Sequence, residues 1–216
     1  MLRRRRSPLA AVAVLAALAL AGCGTVGDDR PEVDATIVLD GPPQAYDAPI
    51  AAAAQRDFDG AEGVQLRLRR PRGADEAIRA LFRRRADFAV LDADRLTANR
   101  RLVGVMALVN APDGDRAPRI VLATSRARLA EDPSIAKATV AALLRGYEQT
   151  QVDPESSLSD LQAEFEGLDR TALGQQYEAI EPQLFPPGRP LGALPRGDSR
   201  YDTSVVTAAS KTTHPS

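Results

Sequence analysis

The sequence predicts an α/β fold with about five strands in a mainly parallel sheet flanked by helices. Three observations predict it. Short apolar runs alternate with segments of helical period between residues 35 and 124. Gly- and Pro-containing breakers separate them. Helical stripes then fill residues 132–185 before a proline-rich stretch.

The first strand is read at residues 35–40, an apolar run that ends on the carboxylate of Asp40 and is broken by Gly41-Pro42-Pro43-Gln44. A helix starts near Asp47, with Pro49 in its first turn and Phe58 closing it against the core. Val64, Leu66 and Leu68 alternate with Gln65, Arg67 and Arg69, the period of a half-exposed strand. After the turn Pro71-Arg72-Gly73, Ala74, Ile78, Leu81 and Phe82 fall at helical spacing. Acids lead that helix and Arg83-Arg84-Arg85 ends it, which suits the helix dipole. Residues 86–91, 102–109 and 120–124 give three further strands, with Asp92 at the end of the first of these. Asp132-Pro133 caps a helix whose stripe is Ile135, Thr139, Val140, Leu143, Leu144 and Tyr147. Leu158, Leu161 and Phe165 mark a second helix. Asp169 caps a third, with Leu173, Tyr177 and Ile180 inward. Pro182 and the prolines after it end the regular structure, so residues 191–216 read as an irregular wrap with a disordered tail.

The N-terminal residues read as an export leader. Arg3 to Arg6 make a basic start, and the apolar run of residues 9–20 is too short for a comfortable membrane span. It ends in Leu20-Ala21-Gly22-Cys23, which resembles the lipobox of bacterial lipoproteins. That resemblance implies cleavage between Gly22 and Cys23 and acylation of Cys23. Two or three acyl chains, palmitate among them, anchor a protein stably, since each buried methylene contributes about 0.8 kcal/mol. Residues 1–22 are then the signal peptide, 23–34 a flexible tether and 35–190 the folded domain. The expected location is the extracytoplasmic face of a cell membrane.

Composition narrows the chemistry. Cys23 is the only cysteine and His214, in the polar tail, the only histidine. No disulfide can form within the chain, and no metal site or nucleophilic triad built on Cys or His can assemble in the domain. Neither a cofactor nor catalysis is expected. Losing the leader's four arginines leaves 24 basic against 29 acidic residues, net −5, which argues against a nucleic-acid partner. About 190 residues remain, enough for one domain.

A family resemblance emerges from the order of the motifs. Leu39-Asp40-Gly41-Pro42-Pro43 leads into an Ala-rich helix, and Phe58-Asp59-Gly60-Ala61-Glu62-Gly63-Val64 into a strand. Arg84-Arg85-Ala86-Asp87-Phe88-Ala89 and then Val105-Met106-Ala107-Leu108-Val109 follow. Ile120-Val121-Leu122-Ala123-Thr124-Ser125 and the helix after Asp132-Pro133 make a return segment. Over roughly residues 35–185 this resembles the substrate-binding proteins of ABC transporters that serve thiamine-pyrimidine precursors, alkanesulfonates and taurine. The resemblance implies a type II periplasmic binding fold, but the second lobe, due between Val109 and Ile120, is replaced by the turn of residues 110–119. The chain therefore reads as one lobe, which would bury only part of a ligand, against about 70–90% in good pockets. A second chain, by self-association or as a partner, would supply the missing wall.

Ligands of open α/β sheets bind beyond the carboxyl ends of the strands. Residues 40–46, 70–73 and 92–95 lie there, and Asp40, Gln44, Tyr46, Arg72 and Asp92 are the candidate ligand-binding residues. Arg72 suits a sulfonate or phosphate, and the carboxylates suit an amine. Two functions fit: a solute-binding lipoprotein of an ABC-type importer that hands a small nutrient to a permease, or a non-transporting interaction lipoprotein that kept one lobe without ligand capture. Relatives of the fold that make the thiamine pyrimidine use an internal histidine, which the predicted domain lacks.

Overall fold

The computed structural model describes residues 33–73, 75–112 and 117–213. The expected leader with Gly22 and Cys23, the expected tether as far as residue 32, and His214 lie outside the described residues. Five strands form one sheet: β1 (Val33–Val38), β2 (Val64–Arg69), β3 (Phe88–Asp92), β4 (Leu102–Asn110) and β5 (Pro118–Ser125), in the order β2-β1-β3-β5-β4. β1 pairs in parallel with β2 and β3, but β5 runs antiparallel to both β3 and β4. The sheet is thus mixed rather than purely parallel: β1 to β4 point one way and β5 alone runs against them. The cause is connection length: parallel neighbours need a crossover of a dozen or more residues, and only residues 111–117 join β4 to β5.

Alternate side chains of the strands serve two cores. Ile37, Phe88, Val90 and Leu122 meet Ile50 of α1 (Ala48–Gln55) and Val140, Leu143 and Tyr147 of α5 (Pro133–Val152). Val38, Ala89, Leu91, Val121 and Ala123 meet Ala77, Ala80 and Leu81 of α2 (Glu76–Phe82) and Leu96 of α3 (Ala93–Thr97). Each fully buried Leu, Ile or Phe contributes about 1.5–3 kcal/mol. Among the described residues, both cores are drawn from residues 35–209, and no helix is long and apolar enough to cross a membrane. α1 and α5 approach unusually closely at Gly146, where an added Cβ would stand 2.1 Å from the Pro49 carbonyl oxygen. Tyr147 reaches across and donates its hydroxyl to the Leu108 carbonyl at 2.8 Å.

The structure adds elements that the hydropathy pattern hides. α3 and α4 (Arg126–Glu131) are too short to show a stripe, and each starts at a side-chain cap, Asp92 and Ser125 respectively. α6 (Pro154–Glu164) and α7 (Arg170–Leu184) follow α5. Pro182 lies inside α7 instead of ending it. It falls in the last turn on the exposed face, so water can take the Glu178 carbonyl that its missing N–H leaves free. The wrap expected after residue 191 ends in a helix, α8 (Thr203–Thr213), which buries Val205, Val206 and Ala209. Its Thr- and Ser-rich sequence has weak helix propensity, and packing decides the outcome.

Before α8, residues 192–202 cover the outer edge of β4. Ala107 N–H donates to the Gly192 carbonyl, Gly104 N–H to Arg200, and Asp202 N–H to the Gly104 carbonyl. That edge is closed to a further strand.

Candidate functional site

β4 lies across β5 from β3 and points the same way. The carboxyl ends of β1 to β4 and the start of β5 therefore share one end of the sheet. Two clefts open there. One of about 390 Å³ is lined by Asp40, Gly41, Pro42, Arg70, Pro71 and Gly73. The other, about 320 Å³, is lined by residues that include Gln44, Tyr46, Arg119, Gln176 and Gln183.

Asp40 is the charged centre of the first cleft. Two residues beyond β1, it pairs with one guanidinium nitrogen of Arg95, whose other nitrogen lies 2.6 Å from Asp75. Burial raises the Asp40 carboxyl above its ordinary value against the opposing pull of Arg95, and Asp92 and Asp75 add to the rise. Arg95 therefore balances a group of three carboxylates. The sequence places Arg95 in a loop at the right end of the sheet but gives no sign of this pairing, because the single turn of α3 that aims it is not periodic.

The arginine on the cleft wall is Arg70. Its guanidinium stands 5.0 Å from the centre of the Phe165 ring and donates to the Glu166 carbonyl at 3.0 Å. Arg72, the arginine singled out by sequence, is exposed and outside the cleft lining. Its backbone N–H donates to the buried carboxylate of Glu76, which also lies 3.4 Å from Arg69 and so fixes the loop. Asp92 lines neither cleft. Its carboxylate accepts from Asp94 N–H at 2.9 Å and caps α3.

Gln44 and Tyr46 belong to the second cleft. The Gln44 side-chain amide donates to the Tyr46 hydroxyl at 3.5 Å, and Ala45 N–H donates to the Gln176 side chain at 3.2 Å, tying this loop to α7. Burial holds the Tyr46 hydroxyl proton far more firmly than usual. Arg119 donates to Gln183 at 3.4 Å on the facing wall. The five candidates thus divide: Asp40 in one cleft, Gln44 and Tyr46 in its neighbour, Arg72 at the surface, Asp92 in a helix cap.

From the sequence, Asp47 reads only as a helix start. Its side chain is 1% exposed. One carboxylate oxygen accepts Gln44 N–H at 2.9 Å; the other has no hydrogen-bond partner among the described residues. Burial, helped by the charge of Asp40, raises its carboxyl to about 7. The Gln44–Tyr46 loop is therefore tied through Gln44 N–H to a buried carboxyl that burial raises to about 7.

Mixed charges, tyrosine and amides around open clefts suit reversible capture of a small polar ligand. The comparisons agree with the architecture. No family model and no curated protein sequence matches the chain. Solved structures do. The ligand-binding component of an ABC-type import system from Staphylococcus aureus, solved with zinc bound, matches with a TM-score of 0.58 at 12% identity, over 82% of this chain and 99% of its own. A Candida albicans gene product described as having the generic periplasmic binding protein fold matches with 0.54 at 10% identity, over 85% and 89%. The alkanesulfonate-binding protein SsuA of Xanthomonas axonopodis pv. citri, bound to MOPS, matches with 0.52 at 10% identity, over 83% and 91%. At such identities the likeness establishes the fold, and the fold is that of the periplasmic binding proteins, present here as one lobe with a single sheet.

Proposed function

We propose that this chain is a membrane-anchored, extracytoplasmic solute-binding lipoprotein of an ABC-type importer, and that it takes a small nutrient at the clefts beyond the carboxyl ends of β1 and β2. The observation that carries this reading is the half-buried Asp40–Arg95 pair beside Arg70 at the end of the sheet where such folds bind ligands. Arg70 receives an anionic group such as a sulfonate, and Asp40 an amine or ring N–H. Gln44 and Tyr46 extend the contact. Arg72 meets the ligand's outer charge from the rim, and Asp92 acts only through its charge on Asp40. The importer component and the alkanesulfonate-binding protein among the structural matches support the class of ligand, a small molecule handed to a permease.

The test is a thermal-shift screen of the chain from Gly24 onward against thiamine precursors, sulfonates, nitrate, amino acids and polyamines. A ligand at 100-fold excess over its dissociation constant adds about 2.7 kcal/mol of stability. A shift that Asp40→Ala and Arg70→Ala both abolish fits the proposal. No shift with any compound, in folded protein, moves the assignment to a non-transporting interaction lipoprotein. The short β4–β5 connection favours that second reading, because it leaves no wall to close over a ligand. The anchor is tested separately. Labelled palmitate is incorporated into the parent chain and not into Cys23→Ser.

A further inference from the structure

A different cleft lies at the opposite end of the sheet, where β4 begins and β5 ends; Leu102 pairs there with Ser125. It measures about 470 Å³, and its lining includes Leu81, Phe82 and four arginines: Arg84, Arg100, Arg101 and Arg126. Among the described residues, no carboxylate lines it. Arg84 is neutralised by Glu131, 3.0 Å away. Among the described residues, no carboxylate pairs with Arg100, Arg101 or Arg126.

Two of these three cations are held in place. Arg126 donates to the carbonyls of Arg100, at 3.1 Å, and Ser199. Arg101 lies 4.3 Å above the centre of the Phe82 ring, so its face is covered while its N–H edge stays available. Arg100 is exposed. A concave wall carrying one sign of charge over an apolar floor concentrates counter-ions more strongly than a flat, charged surface does. Guanidinium forks match tetrahedral oxyanions, and a phosphate can accept from more than one fork at once.

We infer that this cleft is a second binding site, distinct from the nutrient site, and that it takes a phosphate group, either on a small soluble molecule or on a phospholipid headgroup. Its three uncompensated arginines gather on one phosphate, and Arg84 with Glu131 forms the rim. The site stands independently of the proposed nutrient, since no residue is shared between the two ends.

The test uses the chain from Gly24 onward, which lacks the leader and Cys23 but keeps both cores. Pyrophosphate is titrated by calorimetry, and co-sedimentation is measured with vesicles of phosphatidylcholine with and without phosphatidylglycerol. Arg100→Glu should weaken binding by roughly tenfold or more. Lys211→Glu makes the same change in net charge on the exposed side of α8 and should leave binding within about twofold. Arg101→Gln keeps the bulk over Phe82 and should weaken binding if the fold is intact by circular dichroism. Pyrophosphate binding with this pattern assigns the soluble source. Binding to phosphatidylglycerol vesicles alone, with the same pattern, assigns the headgroup. If neither probe binds, or if Arg100→Glu and Lys211→Glu weaken binding equally, the inference is overturned, because only net charge would then be at work.

Discussion

Asp47→Asn should stabilise the protein in alkaline solution and bring no gain, or a small loss, in acid. Asp47 is buried, one of its oxygens has no partner among the described residues, and its carboxyl sits near 7 against an ordinary 3.8. A carboxyl raised in the folded state binds its proton more tightly there than in the unfolded chain. Its favourable contribution is therefore complete below about pH 4 and is lost as pH rises towards and through 7. A difference of about three pH units at about 1.4 kcal/mol each gives an upper bound of roughly 4 kcal/mol. Asparagine is never charged and keeps an oxygen for Gln44 N–H. Its amide, placed where the orphan oxygen stood, costs about 1–3 kcal/mol if it finds no acceptor. The net gain over the parent at pH 9 should then be about 1–3 kcal/mol, shrinking steadily to zero or below near pH 4. Urea unfolding of both proteins at pH 4, 5, 6, 7, 8 and 9 reads this directly. A difference that does not change with pH would refute the reasoning, because it would mean that Asp47 titrates alike in both states. So would an asparagine variant that loses ground as pH rises.

Other outcomes follow from single contacts. Gly146→Ala pushes a methyl group into the Pro49 carbonyl and should cost about 1–3 kcal/mol or more, measured by urea unfolding; an unchanged midpoint would show that α1 and α5 part freely. Tyr147→Phe removes the buried bond to the Leu108 carbonyl and should cost about 1–2 kcal/mol by the same assay. Arg95→Ala leaves Asp40 half-buried with its opposing cation gone, so its carboxyl should rise further, seen as a higher midpoint when the Asp40 side-chain resonance is followed against pH. Placing the same alanine at Arg72 should leave that midpoint where it is, since Arg72 is exposed and is not among the groups that shift Asp40.

How far the sequence reaches is seen at particular residues. Alternation at Val64, Leu66 and Leu68 and the stripe from Ile135 to Tyr147 identify β2 and α5, because a strand of period two and a long helix of period 3.6 leave marks that need no tertiary information. Asp169 and Asp132 are legible as caps for the same reason: the bond each makes is local, to Ala172 N–H at 2.6 Å and Ser134 N–H at 3.1 Å. The turn between Val109 and Ile120 is likewise a count of residues, and it limits the chain to one lobe. By contrast, the pairing of Arg95 with Asp40 spans a separation of 55 residues, and nothing near either residue encodes it.

The sequence by itself determined the α/β class, the five strands and the long helices. Each of these is a local pattern or a spacing. Tertiary structure decided the rest. It turned β5 antiparallel between β3 and β4, folded residues 203–213 into a helix against α5, and gave Asp92 to a helix cap. It put Arg70 rather than Arg72 on the cleft wall and buried Asp47 without a full set of partners. These outcomes depend on which distant groups exclude water from one another, and that is settled only when the chain closes on itself.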